Sequence, residues 1–182
     1  MKSQQLKATL LALTLAAGSV HAVGVVNGDF ETGDFTGWSV AGASFYTGVD
    51  APSAHTGLYG AFFGEDSPGS SISQNVATAP GGIYVVSFWV QLDDSAVPSS
   101  FSWSWGGVAQ APALSNASGF NYALVSATVT ASGASTPLQF SFTNPNSFWL
   151  LDDVSVTPVP EPATPMLWSA GALLLAALAR RR

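Results

Sequence analysis

The sequence predicts an all-β protein, an antiparallel β-sandwich with an apolar segment at each end of the chain. Three observations carry this. Apolar residues alternate with small polar ones in Phe101-Ser102-Trp103-Ser104-Trp105 and in Leu138-Gln139-Phe140-Ser141-Phe142, the period of a strand with one buried face. Clusters of Gly, Pro, Ser and Asn recur between the apolar segments and favour turns. Between residues 23 and 158 no stretch has helical periodicity.

Taken in order, short strands are expected at 25–30, 38–40, 44–46, 61–63 and 72–76. Ile83–Leu92 is nearly continuous and apolar, which predicts a central strand buried on both faces. Residues 101–105 form the next strand. The loop from Pro98 and the Ser/Ala/Gly-rich segment 110–119 carry the least pattern. In 122–130, Val125, Ala127 and Val129 share one face, and Tyr122, Leu124, Ser126, Thr128 and Thr130 the other. Residues 138–142 and 148–156 complete the set.

The two ends read as targeting segments. Lys2 and Lys7 precede an apolar run at 10–17 and the small-residue site Val20-His21-Ala22, the layout of a Sec-type signal peptide over residues 1–22. At the other end, Val159-Pro160-Glu161-Pro162 is stiff and extended, because each proline fixes its own φ and restricts the residue before it. An apolar run from Met166 to Ala179 and the cluster Arg180, Arg181 and Arg182 follow. As a helix the run reaches ~21 Å, short of the ~30 Å bilayer core, and arginines at its end extend that reach by snorkelling. The order of proline spacer, apolar helix and cationic stop resembles the PEP-CTERM sorting tail. The resemblance implies recognition of Pro160, Glu161 and Pro162 by a membrane-embedded exosortase, a transient inner-membrane anchor stopped by Arg180 to Arg182, and delivery to the cell surface or the extracellular space. The expected division is therefore a signal peptide (1–22), a β-sandwich domain (23–158) and a sorting tail (159–182).

Charge narrows what the domain can do. All five Lys and Arg residues lie in the targeting segments, while ten of the eleven acids lie between 23 and 158. A domain with ten carboxylates and no Lys or Arg repels nucleic acid, whose binding rests on basic contacts to phosphate. It also lacks a guanidinium clamp for phosphorylated substrates. With no cysteine, its stability rests on the apolar core or on a metal. Unpartnered carboxylates favour a hard cation, calcium first.

Asn27-Gly28-Asp29-Phe30-Glu31 with Gly37-Trp38, Gln74 with Pro80-Gly81-Gly82-Ile83-Tyr84 and Ser87-Phe88-Trp89, and Leu151-Asp152-Asp153-Val154-Ser155-Val156 stand in this order along the domain. Together they resemble the galactose-binding-like jelly rolls that include several carbohydrate-binding modules. The resemblance implies a structural calcium ion held by Glu31, by the carbonyl of Asp29 and by Asp152; Asp50 is a further candidate ligand that the motif does not fix. The phase of the last strand agrees for Asp152, which alternates with Leu150, Val154 and Val156 and so is expected on the core side.

Two other constellations carry less. Trp103 and Trp105, with Phe101 on the same face, are candidate sugar-stacking aromatics, beside Trp89 and Tyr84 of the preceding strand, yet the same alternation builds a sandwich core. Asp93-Asp94 and Glu65-Asp66 are adjacent pairs whose members face opposite sides of a strand, unlike the paired carboxyls of a glycosidase. His55 is the one histidine of residues 23–158 and is expected on a solvated loop; no Gly-x-Ser-x-Gly elbow accompanies it. The leading expectation is a non-enzymatic structural or adhesive surface protein associated with exopolysaccharide. A specific carbohydrate-binding module is the first alternative and a small secreted hydrolase the second.

Overall fold

A computed structural model describes residues 24–65 and 69–160. The expected signal peptide, the sorting-tail residues Glu161, Pro162 and Arg180 to Arg182, and Asp66 lie outside the described residues. Among the described residues ten strands form two five-stranded antiparallel sheets, and no helix is long and apolar enough to cross a membrane. The strands are β1 (Ser39–Ala41), β2 (Thr47–Asp50), β3 (Gly60–Phe63), β4 (Ser70–Ala77), β5 (Ile83–Leu92), β6 (Ser100–Trp105), β7 (Val108–Ser115), β8 (Phe120–Thr130), β9 (Ser135–Thr143) and β10 (Trp149–Pro158). One sheet runs β1-β4-β9-β6-β7 and the other β2-β3-β10-β5-β8. The antiparallel sandwich expected from the alternation is the architecture found.

The core lies between the sheets and is built largely of aromatic rings. Phe101, Trp103 and Trp105 of β6 point inward, as do Leu138, Phe140 and Phe142 of β9 and Val86, Phe88 and Val90 of β5. Phe63 and Phe142 stack across the two sheets with centroids 3.9 Å apart and planes 6° from parallel. Phe88 meets Trp103 edge to face at 5.3 Å. Buried indole N–H groups find carbonyl partners, Trp103 donating to Ala111 at 3.2 Å and Trp105 to Thr130 at 3.0 Å, so the large rings are buried without stranding a donor.

Four expectations about elements differ from the structure. Residues 25–30 form turns instead of a strand. Asn27, at φ 51°, accepts from Thr32 N–H through its side-chain oxygen and donates to the carbonyls of Asp34 and Thr36, folding the opening segment onto itself. The strand expected at 44–46 starts at Thr47, because Glu65 accepts from both the backbone N–H and the hydroxyl of Ser44 and holds the preceding residues in a loop. β7 occupies most of the segment that lacked pattern: its inward positions are filled by Gln110, Pro112 and Leu114, which give no apolar alternation. β5, expected to be buried on both faces, is buried on one and half-buried on the other.

Candidate functional site

The outer side of the β2-β3-β10-β5-β8 sheet carries the acidic chemistry. Asp152 is 0% exposed, as expected, but not on the core side. It pairs with Trp89 on the outer side of β5, and a register shift between Asp152 and Ser155, with Asp153 at φ 51°, turns the strand over. This is a β-bulge, which breaks the alternation that placed Asp152 with Val154 and Val156. Loop 51–59 buries Asp152: one carboxylate oxygen accepts from His55 N–H at 2.8 Å and Thr56 N–H at 3.2 Å, and the other from Asp153 N–H at 2.7 Å. Burial pushes the Asp152 carboxyl up to about 6, against the pull of those three amides.

Glu31 grips the other end of the same loop, accepting from Leu58 N–H at 2.7 Å and Tyr59 N–H at 2.9 Å. Opening and closing segments are thus tied together through a loop of the chain. Val154 N–H also donates directly to the Gly28 carbonyl at 2.8 Å, an approach that leaves no room for a side chain at Gly28. Asp29 lines a pocket of about 390 Å³ together with Gly28, Asp153, Val154 and Ser155. Among the described residues no three acidic or histidine side chains converge as a metal shell. The oxygen donors present suit calcium in kind, so a calcium ion here would need main-chain carbonyls and water to complete its shell.

His55 is not a solvated loop residue. Its ring stacks on Trp89 at 4.0 Å and 22°, meets Tyr122 edge-on at 4.9 Å, and bonds through Nδ1 to Asp153 at 2.7 Å. The carboxylate and the packed rings fix the imidazole as a strut under the loop. Among the described residues no serine hydroxyl bonds to its ring, so the hydrolase reading gains no nucleophile here.

Trp103 and Trp105 require a correction. At 2% and 3% exposed they belong to the core and offer no face to a ligand. The exposed aromatics lie elsewhere. Phe45 is 91% and Tyr46 55% exposed, forming an edge-to-face pair at 5.9 Å in the loop that follows β1. Glu65, 7% exposed, anchors that loop. Burial works against its charge, but hydrogen bonds from Ser44, Tyr46 and Thr47 outweigh it and hold its carboxyl below the usual glutamate range. Two adjacent aromatics in one short segment were the available signal, because a strand with one buried face takes only one of them inward.

The outer face of the β1-β4-β9-β6-β7 sheet has a different character. Register places Ser39, Ser73, Gln139 and Ser104 in one row across four strands. A second row holds Ala41, Ser71, Ser141 and Ser102, with Asn75 and Pro137 paired beyond the first row. The rows contain no charge and no bulky side chain, leaving a shallow surface of hydroxyls and amides that both donate and accept hydrogen bonds.

Residues 24–149 match the carbohydrate-binding domain family. The chain belongs to that family. Solved structures with the same fold include a family 61 carbohydrate-binding module in complex with β-1,4-galactotriose, 22% identical with a TM-score of 0.57, covering 73% of this chain and 96% of that one. A family 16 carbohydrate-binding module is 17% identical with a TM-score of 0.52, covering 73% and 98%. The CBM22-1 xylan-binding domain from Paenibacillus barcinonensis Xyn10C is 18% identical with a TM-score of 0.51, covering 74% and 93%. No curated protein matches the chain. Within this carbohydrate-binding domain the jelly-roll sandwich is therefore shared across widely divergent sequences.

Proposed function

We propose that this protein is an exported polysaccharide-binding module that holds a glycan chain across the outer face of the β1-β4-β9-β6-β7 sheet, with Phe45 and Tyr46 stacking on sugar rings at its edge. This is the more specific of the two non-enzymatic expectations, and family membership favours it over a purely structural or adhesive role. The observation that carries the site is the uncharged double row of Ser and Gln side chains, with Asn75 beyond it, on a sheet whose edge strand β1 leads into a loop whose phenyl ring is 91% exposed. A sugar ring presents C–H groups on its face and hydroxyls on its rim. An exposed phenyl ring accepts the first, and a hydroxyl and amide surface exchanges hydrogen bonds with the second.

Export by residues 1–22 and sorting through Pro160, Glu161 and Pro162 by an exosortase complete the proposal and set its location at or beyond the cell surface. Intact mass of protein from a host with an active exosortase checks this: the chain should end near Pro162 and lack Arg180 to Arg182. Calcium at the junction of Glu31, Asp29 and Asp152 is a further part of the proposal, acting to brace loop 51–59 and not to contact the glycan.

The binding test is retention on a panel of insoluble and gel-embedded polysaccharides. Wild type should be retarded by at least one of them, Phe45→Ala should weaken retention, and Ser141→Arg, which puts a bulky side chain in the middle of the face, should abolish it. Retention that survives both substitutions would place the site elsewhere. No retention on any polysaccharide would overturn the function.

A further inference from the structure

The opposite side of the sandwich carries a second, smaller recess that the polysaccharide reading does not use. Register sets Gly48, Phe62, Leu150 and Gln91 in one row across the outer face of the β2-β3-β10-β5-β8 sheet. Glycines make space for two rings here. A Cβ at Gly48 would meet Phe62 at 2.6 Å, and one at Gly64 would meet Phe148 at 2.6 Å, so both phenyl rings lie close against bare backbone. They meet edge to face at 5.7 Å. Together with Leu150 they floor a recess of about 290 Å³, walled by Asp50 and Asp93 with Gln91 between floor and wall.

The walls are held in place. Asp50 accepts from Ser53 N–H at 3.1 Å, and Asp93 accepts from the Gln91 amide at 2.7 Å, while Gln91 in turn accepts from Tyr122 N–H. Asp93 N–H also donates to the Phe148 carbonyl at 3.1 Å, tying the backbones of these two lining residues together. In each case one carboxylate oxygen is engaged, and among the described residues the other has no donor. Residues 23–158 contain no Lys or Arg to neutralise either carboxylate.

We propose that this recess is a binding site for a single sugar ring bearing a free amino group, its apolar face on Phe62 and its ammonium between Asp50 and Asp93. The volume is near the lower end of small-molecule sites and suits one ring, not a chain. The phenyl faces attract a cation, and both carboxylates add to that attraction. The same carboxylates act on Tyr122, whose phenol is driven well above its ordinary pKa by burial first and then by Asp152, Asp93, Asp153 and Asp50. Family membership enters only in the choice of a sugar as carrier of the amine.

The test is titration of the full-length chain with a β-1,4-linked glucosamine tetramer, its N-acetylated counterpart and cellotetraose. The glucosamine tetramer should bind, and raising NaCl from 20 to 300 mM should weaken it, because exposed carboxylates are screened. Asp50→Asn together with Asp93→Asn should cost about tenfold or more in affinity without lowering the melting temperature. Phe62→Leu should weaken binding in the wild-type background. Ser141→Arg, which blocks the opposite face, should leave it intact, so failure of the polysaccharide site and failure of this site separate. Equal binding of all three tetramers, or loss of less than twofold in the double variant, would overturn the proposal, as would no binding of the glucosamine tetramer.

Discussion

The sharpest division between core and ligand surface is drawn by Trp103→Ala set against Phe45→Ala. Trp103 is 2% exposed, meets Phe88 edge to face at 5.3 Å and lies near-parallel to Phe140 at 6.5 Å. Aromatic side chains of this size bury about 150–250 Å², worth roughly 4–6 kcal/mol at ~25 cal/mol per Å². Alanine recovers part of this by relaxation around the void. The change also leaves the Ala111 carbonyl without its indole donor, a further ~1 kcal/mol. A net loss of about 3–5 kcal/mol is the measured range for such truncations. For a domain of this size that lowers Tm by roughly 10–20 °C. Phe45, at 91% exposed, has little packing to lose beyond its edge contact with Tyr46, so Phe45→Ala should stay within about 0.5 kcal/mol of wild type. Thermal melts followed by near-UV circular dichroism give the first half of the comparison, and polysaccharide retention below each variant's Tm gives the second. Trp103→Ala should lose stability and keep retention where folded, and Phe45→Ala should do the reverse. If Trp103→Ala melts within ~3 °C of wild type and loses retention, the assignment of β6 aromatics to the core is wrong.

Other outcomes follow from the acidic side of the molecule. Because the folded Asp152 carboxyl titrates near 6 and an unfolded one near ~3.9, the folded state binds more protons between those values. Its contribution to stability is fully present below ~4 and is lost as pH rises through 6, about 3 kcal/mol in all. In EDTA, the stability of wild type minus that of Asp152→Asn should therefore fall from pH 4 to pH 7, by up to about 3 kcal/mol; a constant difference would refute the buried-carboxylate argument. Calcium binding to the folded domain at a hundred times its dissociation constant should add ~2.7 kcal/mol, read as a Tm rise of several degrees over EDTA that Glu31→Gln removes. An unchanged Tm would leave loop 51–59 to be braced by its hydrogen bonds alone. Moderate NaCl should raise Tm in EDTA by screening repulsion among ten carboxylates, and a falling Tm would contradict that picture.

The sequence by itself determined the sandwich, most of its strands and the buried state of Asp152. Strict alternation in 101–105 and 138–142 is readable because one face of each strand must leave water, and a lone buried carboxylate stands out in any apolar run. The opening motif also marked the right segment, although Asn27 folds it into turns where a strand was expected. Only the tertiary structure decided which side Asp152 faces, since a single bulged residue reverses every later side chain and leaves no mark in the apolar pattern. It also decided that Asp152 and Glu31 hold one loop, a contact between residues far apart in sequence that no local spacing encodes. The candidate surfaces were the least legible. Serines facing water on four different strands carry no signal until register aligns them into rows. Phe62 and Phe148 become a floor only because Gly48 and Gly64, distant in the chain, leave bare backbone beneath them. Local chemistry determines which residues must be hidden, while strand order and register determine which of the remainder meet, and a binding surface is made of the remainder.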